Sequence, residues 1–164
     1  MISLRSTEFL PVTPLIAVHV LSGLVAVVAG AGAMLTSKGS HRHRRCGLLY
    51  LASLVSLVLT ATVLAAQEWT QRQHLFWLGV LALLLASIGY AARIRRPAGW
   101  ARIHIVGMGC SYITILTAFY VDNGSRLPIW QLLPEAAFWL LPSLAGIPFL
   151  VGALRKYRHS DFRA

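Results

Sequence analysis

Residues 103–124 read IHIVGMGCSYITILTAFYVDNG, and this stretch decides the fold. It has about 19 residues before Asp122, close to the length that a helix needs to cross a bilayer. A helical projection gathers small and polar residues on one side: His104, Gly107, Met108, Ser111, Ala118 and Asp122. The opposite side is aliphatic and aromatic. The pattern predicts a membrane helix whose polar side faces protein and whose apolar side faces lipid.

The composition of the whole chain extends this prediction. Of 164 residues, 57% are hydrophobic and 12% are charged, against roughly 25% charged in a soluble domain. Five apolar runs approach the length of a membrane span, at about residues 15–36, 47–67, 74–92, 103–121 and 136–154. We therefore predict an all-α fold, a single integral membrane domain over residues 1–164 with five transmembrane helices in the lipid bilayer.

The basic residues predict the orientation of the bundle. The loop after helix one, the loop after helix three and the tail hold Lys38, Arg42, Arg44, Arg45, Arg93, Arg95, Arg96, Arg102, Arg155, Lys156, Arg158 and Arg163. The other segments hold Arg5, Arg72 and Arg126, one each. This alternation follows the positive-inside rule, which places the N-terminus outside and the C-terminus in the cytoplasm. Topology accounts for the net charge of +10, so nucleic acid is not predicted as a partner.

The first helix has some features of a secretory signal peptide. Arg5 precedes an apolar core, and small residues follow in the sequence AGAGA at positions 29–33. Four basic residues come soon after this run and would anchor its end inside. We therefore predict a retained first helix rather than a cleaved leader.

The histidines fall into two layers. His43 and His104 lie at the same ends of helices two and four, which run in the same direction, so the two side chains can ligate one metal centre. By the same reasoning His19 and His74 form a weaker outer pair, although His74 also suits an interfacial position beside Trp69. The layers lie roughly 20 Å apart at 1.5 Å per residue, so they cannot share one ion.

Longer motifs carry a resemblance to a known family. The runs HIVGMGCSY (104–112), LTAFYVDNG (116–124) and LPIW (127–130) resemble a family of predicted bacterial integral membrane proteins, catalogued as a domain of unknown function. His19 with Gly23, and the run from Lys38 to Gly47, are similar to the N-terminal half of that family. The resemblance covers most of the chain. It implies a multi-pass protein of the bacterial cytoplasmic (inner) membrane and no particular activity.

Two histidine layers in a small bundle are similar, by analogy, to cytochrome b561-type electron carriers. The best specific hypothesis is therefore a transmembrane electron carrier that binds haem b and works with a membrane redox partner. The glycines near the histidines would leave room for the macrocycle, and Met108 would pack against it or compete as a ligand. The expected binding residues are His19, His43, His74, His104, Gly23, Gly47, Gly107 and Met108. Without a Cys-x-x-Cys-His motif, such a haem would be held non-covalently.

Two alternatives remain open. The first is a proton or small-solute path along His19, Asp122, Ser111 and Tyr112, next to carbonyls that the prolines of helix five leave free. The second is a non-catalytic subunit or scaffold whose polar residues fix helix pairing. For His41 the pattern favours a solvated basic turn.

The sequence offers no catalytic residues. It has no nucleophile–base triad, zinc-protease pattern or phosphate-binding loop, which argues against a hydrolase or a nucleotide-dependent enzyme. Cys46 and Cys110 both fall on the predicted cytoplasmic side, where thiols stay reduced, so we expect small packing residues rather than a disulfide.

Overall fold

The computed structural model describes residues 12–161, with side chains from residue 14 to residue 157. Over that range the chain forms α1 (Val12–Leu35), α2 (His41–Gln67), α3 (Trp69–Arg95), α4 (Trp100–Asn123) and α5 (Glu135–Asp161). Two short 3-10 turns, Gly124–Arg126 and Trp130–Leu132, lie between α4 and α5. Arg5, Arg163 and the side chain of Arg158, which contributed to the predicted orientation, lie outside the described residues.

All five helices of the described range are long and apolar enough to cross a membrane. Their outer surfaces carry large apolar side chains that no protein covers, such as Leu59 on α2 (63% exposed) and Leu144 on α5 (65% exposed). Such surfaces are stable only when lipid replaces water around them. The prediction of an all-helical bundle with five membrane helices is therefore confirmed, and the orientation of its ends stays a prediction.

The helices extend beyond the predicted apolar runs. Helix α2 begins at His41, not near Gly47, because the Ser40 side chain caps it by accepting a hydrogen bond from the His43 N–H at 3.1 Å. Helix α3 begins at Trp69, leaving only Glu68 between it and α2. Hydropathy marks where a helix meets lipid, whereas backbone hydrogen bonds and caps decide where it ends.

The first four helices close into a ring in chain order. Each packs on the next, α1 also contacts α4, and α5 packs on α4 from outside the ring. Helices α2 and α4 face each other across the centre, where Tyr50 and Ser111 form a buried hydrogen bond of 2.7 Å. The arrangement is an up-and-down four-helix bundle with one added helix. Side chains from α2 and α4 that point inward therefore meet on the bundle axis.

Helices α3 and α4 touch backbone to backbone. A methyl group added to Gly107 would lie 2.7 Å from the Leu85 carbonyl oxygen and 2.8 Å from the Gly89 Cα. Only glycine permits this approach, which is how small residues bring membrane helices together. The contact fixes the height of α4 against α3, and with it the position of His104, one turn earlier.

Candidate functional site

His43 is held at the end of the bundle that carries the basic loops. It lies in the first turn of α2, and its Nδ1 is 2.9 Å from the carbonyl oxygen of Ala33 in the last turn of α1. The last carbonyls of a helix have no partner within that helix. The end of α1 therefore supplies an acceptor that fixes the His43 ring.

His104 is held in the same manner from the other side. Its Nδ1 is 2.9 Å from the carbonyl oxygen of Gly89 on α3. A carbonyl oxygen has two lone pairs, so Gly89 can accept this bond together with one inside its own helix. The close approach of α4 to α3 at Gly107 and Gly89 puts the imidazole within reach.

Both rings are left with a free Nε2. Because a carbonyl oxygen only accepts, each Nδ1 carries the proton, and the neutral ring then has its lone pair on Nε2. No described residue forms a hydrogen bond with either Nε2. Every buried side-chain nitrogen or oxygen in the described range has a hydrogen-bond partner, so an Nε2 without a partner is not buried. Both Nε2 atoms are therefore accessible. A histidine that ligates a metal commonly donates its other N–H to a backbone carbonyl in this way.

The two rings face one another across the bundle. Their centres are 6.3 Å apart and their planes meet at 74°. An imidazole nitrogen binds a metal at about 2.0–2.1 Å, so two rings on opposite sides of one ion have centres roughly 6 Å apart. The separation of His43 and His104 is compatible with that arrangement.

A cavity of about 120 Å³ lies beside this pair. It is lined by both histidines, by Met108 one turn after His104, and by Tyr90 and Gly47. A methyl group added to Gly47 would meet nothing within 4 Å, so this glycine borders open space. Pockets for drug-sized ligands usually measure about 300–1,000 Å³. The two imidazoles are donors of the kind that ligate a haem iron. At about 120 Å³, however, the cavity does not hold the macrocycle unless the lining side chains move.

Positive charge surrounds the cavity. Arg44 and Arg93 line it. The Lys38 Nζ donates to the Met34 carbonyl oxygen at 2.7 Å, and its positive charge is close enough to interact electrostatically with His104. Burial lowers the pKa of Lys38, and the charge of Lys156 on α5 lowers it further. The carboxylates whose side chains the structure describes, Glu68, Asp122 and Glu135, belong to the opposite ends of their helices, whereas Asp161 is the last residue of α5 and its side chain lies outside the described range. A ligand with its own carboxylates would therefore be favoured at this end.

The structure does not bring the predicted outer pair together. The His19 Nδ1 is 3.0 Å from the Thr60 Oγ1, whereas the His74 ring lies against Trp139 with ring centres 6.0 Å apart. They belong to α1 and α3, which occupy opposite corners of the ring of helices. Asp122 is exposed near His19, close enough for its charge to act on that ring.

Several other predicted residues serve helix packing. A Cβ on Gly23 would lie 3.5 Å from Leu57, and Gly107 abuts α3, so neither borders the histidine cavity. Ser111 pairs with Tyr50, and the Tyr112 hydroxyl donates to the Val27 carbonyl oxygen at 3.0 Å. These contacts connect α4 to α2 and to α1. His41 is exposed in the first turn of α2, as expected of a basic turn residue.

The cations and the carbonyl anchors are the site features that sequence reasoning missed. The sequence interpretation uses Arg44 and Arg93 for topology and as basic clusters near lipid headgroups, and Arg44 also for the family resemblance, but not for the histidine site. Arg44 directly follows His43 and therefore had to lie near it. The Ala33 and Gly89 carbonyls carry no sequence signal, because any residue supplies a carbonyl. The Tyr50–Ser111 bond had a signal, since each residue lies seven positions after a paired histidine and hence on its face.

The fold and these buried polar groups define a multi-pass α-helical membrane protein. Residues 16–161 match the family described as predicted membrane protein (DUF2306), so the chain belongs to that family. The resemblance found in the sequence motifs is thereby confirmed. No curated protein and no solved structure matches the chain.

Proposed function

We propose that this protein binds one b-type haem, non-covalently, between His43 and His104, and acts as a membrane electron carrier. One observation carries the proposal: both rings have Nδ1 fixed to a carbonyl and an accessible Nε2, and their centres lie 6.3 Å apart. Met108 lies in the same cavity as a packing side chain or a competing ligand.

Each part of the site has a task in this proposal. A haem supplies one-electron oxidation and reduction when bound. The Ala33 and Gly89 carbonyls orient the imidazoles and increase their basicity as ligands. Arg44 and Arg93 would pair with carboxylates of a bound haem, and Gly47 leaves space beside the rings. Among the described residues, His43 and His104 are the one pair of histidines placed in this way, and they lie at the end of the bundle that carries the basic loops. This position favours electron exchange with a redox partner at that face of the membrane.

Reduction of the purified protein tests this function. Grown with haem supplied, the wild-type protein should be red, and its Soret band should shift when dithionite is added. Gly47→Leu should fold but lose most of the colour, because the new side chain fills the open space beside the rings. Gly152→Leu is the matched control. A Cβ at Gly152 also meets nothing within 4 Å, but this residue is on α5 and does not line the histidine cavity. A colourless wild type, or a Gly47→Leu protein as red as Gly152→Leu, would contradict the proposal.

A proton path is the second candidate, supported by hydrogen-bonded polar pairs at three depths of the bundle. Tyr50 pairs with Ser111, Ser22 with Ser56 at 2.8 Å, and His19 with Thr60. Proton flux into liposomes that stops in His19→Ala and persists in His74→Ala would support this function. If the protein has neither colour nor flux, a scaffold with polar pairs that fix helix packing becomes the better account.

A further inference from the structure

A second cavity lies between α3 and α4, apart from the histidines. It measures about 320 Å³ and is lined by Leu85 and Ile88 of α3 and by Arg102, Ile103, Val106 and Gly107 of α4. None of these residues lines the histidine cavity. The surface of the cavity is entirely apolar, so Arg102 lines it with the carbon atoms of its side chain and not with its guanidinium. The cavity is therefore an apolar groove. We call it the α3–α4 groove.

The groove opens toward lipid. Ile88 is 55% exposed and Val106 is 39% exposed, and both lie within membrane spans. At Gly107 the two helices touch backbone to backbone, which leaves a furrow between the larger side chains on either side. An extended hydrocarbon chain has the shape and the polarity to fill such a furrow.

Arg102 lies in the first turn of α4, five residues before Gly107, which is roughly 7 Å along the helix axis. Among the side chains of residues 14–157, none forms a hydrogen bond or an ion pair with its guanidinium. An arginine presents several donors in a fork that matches the oxygens of a phosphate. Arg102 is exposed in the first turn of α4, and the carbon atoms of its side chain border the furrow. An exposed guanidinium at the end of an apolar furrow complements a molecule with an anionic head and a hydrocarbon tail.

We propose that the α3–α4 groove binds one anionic phospholipid, with an acyl chain over Gly107 and the phosphate on Arg102. Basic pockets between membrane helices bind anionic headgroups by the same chemistry. The proposal does not depend on haem, because the groove and the histidine cavity have no lining residue in common.

Native mass spectrometry of the detergent-purified chain tests the proposal. Phosphatidylglycerol and phosphatidylcholine with identical acyl chains are added at equal concentration. The wild type should retain phosphatidylglycerol about fivefold better, the factor expected for one cation at a membrane surface. Arg102→Gln should reduce that preference to near one. Glycerol phosphate added in excess should not displace the lipid, because it lacks the acyl chain.

Two further variants separate this site from general attraction to a basic surface. Arg95→Gln removes an exposed cation at the same end of the bundle that does not line the groove, and it should keep the preference. Val106→Trp should fill the groove and reduce the retention of both lipids. The proposal is overturned if Arg102→Gln keeps the preference, if Arg95→Gln loses as much of it, or if Val106→Trp retains lipid like the wild type.

Discussion

At one end of this bundle, two histidines from different helices are held by the same kind of hydrogen bond. Each imidazole is fixed by a backbone carbonyl of a neighbouring helix, Ala33 for His43 and Gly89 for His104. His19 differs from them, because its Nδ1 lies 3.0 Å from a side-chain hydroxyl oxygen, that of Thr60. Two equivalent anchors that leave two accessible Nε2 atoms favour a shared ligand over two separate packing contacts.

The hydroxyl of Tyr50 should contribute measurably to stability. Its 2.7 Å bond to Ser111 lies at the buried centre of the bundle, where no water can replace it. Tyr50→Phe should lower the free energy of unfolding by about 1 kcal/mol, as for other hydrogen bonds between membrane helices. Denaturant unfolding in detergent micelles measures this change.

Tyr120→Phe provides the comparison for that substitution. The Tyr120 ring packs on Trp130 with ring centres 4.9 Å apart, and none of the described residues bonds to its hydroxyl. Its loss should leave stability nearly unchanged. Equal effects of the two substitutions would mean that the buried bond adds nothing beyond the ring itself.

At the scale of helices, the sequence predicted number and order well and the ends poorly. Apolar runs located all five spans because burial in lipid requires about 20 apolar residues. They could not reveal that α2 starts at His41, because Ser40 caps a turn made of charged residues. The early start matters for the site, since it makes His43 part of a regular helix instead of a loop.

Helix α5 packs on α4 at glycines of both helices, Gly109 on α4 and Gly146 on α5. A Cβ on Gly109 would lie 2.7 Å from the Leu150 Cδ1. Gly109→Ala should therefore displace the Leu150 side chain and lower the free energy of unfolding by about 1 kcal/mol. In the double variant Gly109→Ala/Leu150→Ala the loss should be smaller than the sum of the single losses, because the smaller side chain makes room.

Unfolding of the four proteins of this cycle measures the coupling between the two positions. Gly152→Ala serves as the control, since a Cβ there has no neighbour within 4 Å. Strictly additive losses would show that α4 and α5 do not meet at Gly109 and Leu150.

For the whole molecule, depth along the helices was the most useful information that the sequence contained. It placed His43 and His104 in one layer, and in the structure their rings are neighbours. It also suggested an outer pair, His19 with His74, which the structure separates because α1 and α3 sit at opposite corners. Equal depth does not fix which corner a helix occupies; that depends on the packing of glycines and hydroxyls.

We predict the orientation of the bundle from the odd number of spans and from the basic loops. Reporter tags at the two ends should lie in different compartments, with the C-terminal tag in the cytoplasm. Protease access to intact and permeabilised spheroplasts measures this. If both tags face the same compartment, the number of crossings is not five. The depths assigned to the histidines would then be wrong.

The ratio of haem to protein tests the central claim most directly. We predict one haem per chain in the wild type, close to none in His43→Ala and in His104→Ala, and one in His74→Ala, whose ring lies against Trp139 instead. Pigment extraction combined with amino-acid analysis gives the ratio. A wild type with no haem or with two, or a His104→Ala protein that keeps its haem, would contradict a single site between His43 and His104.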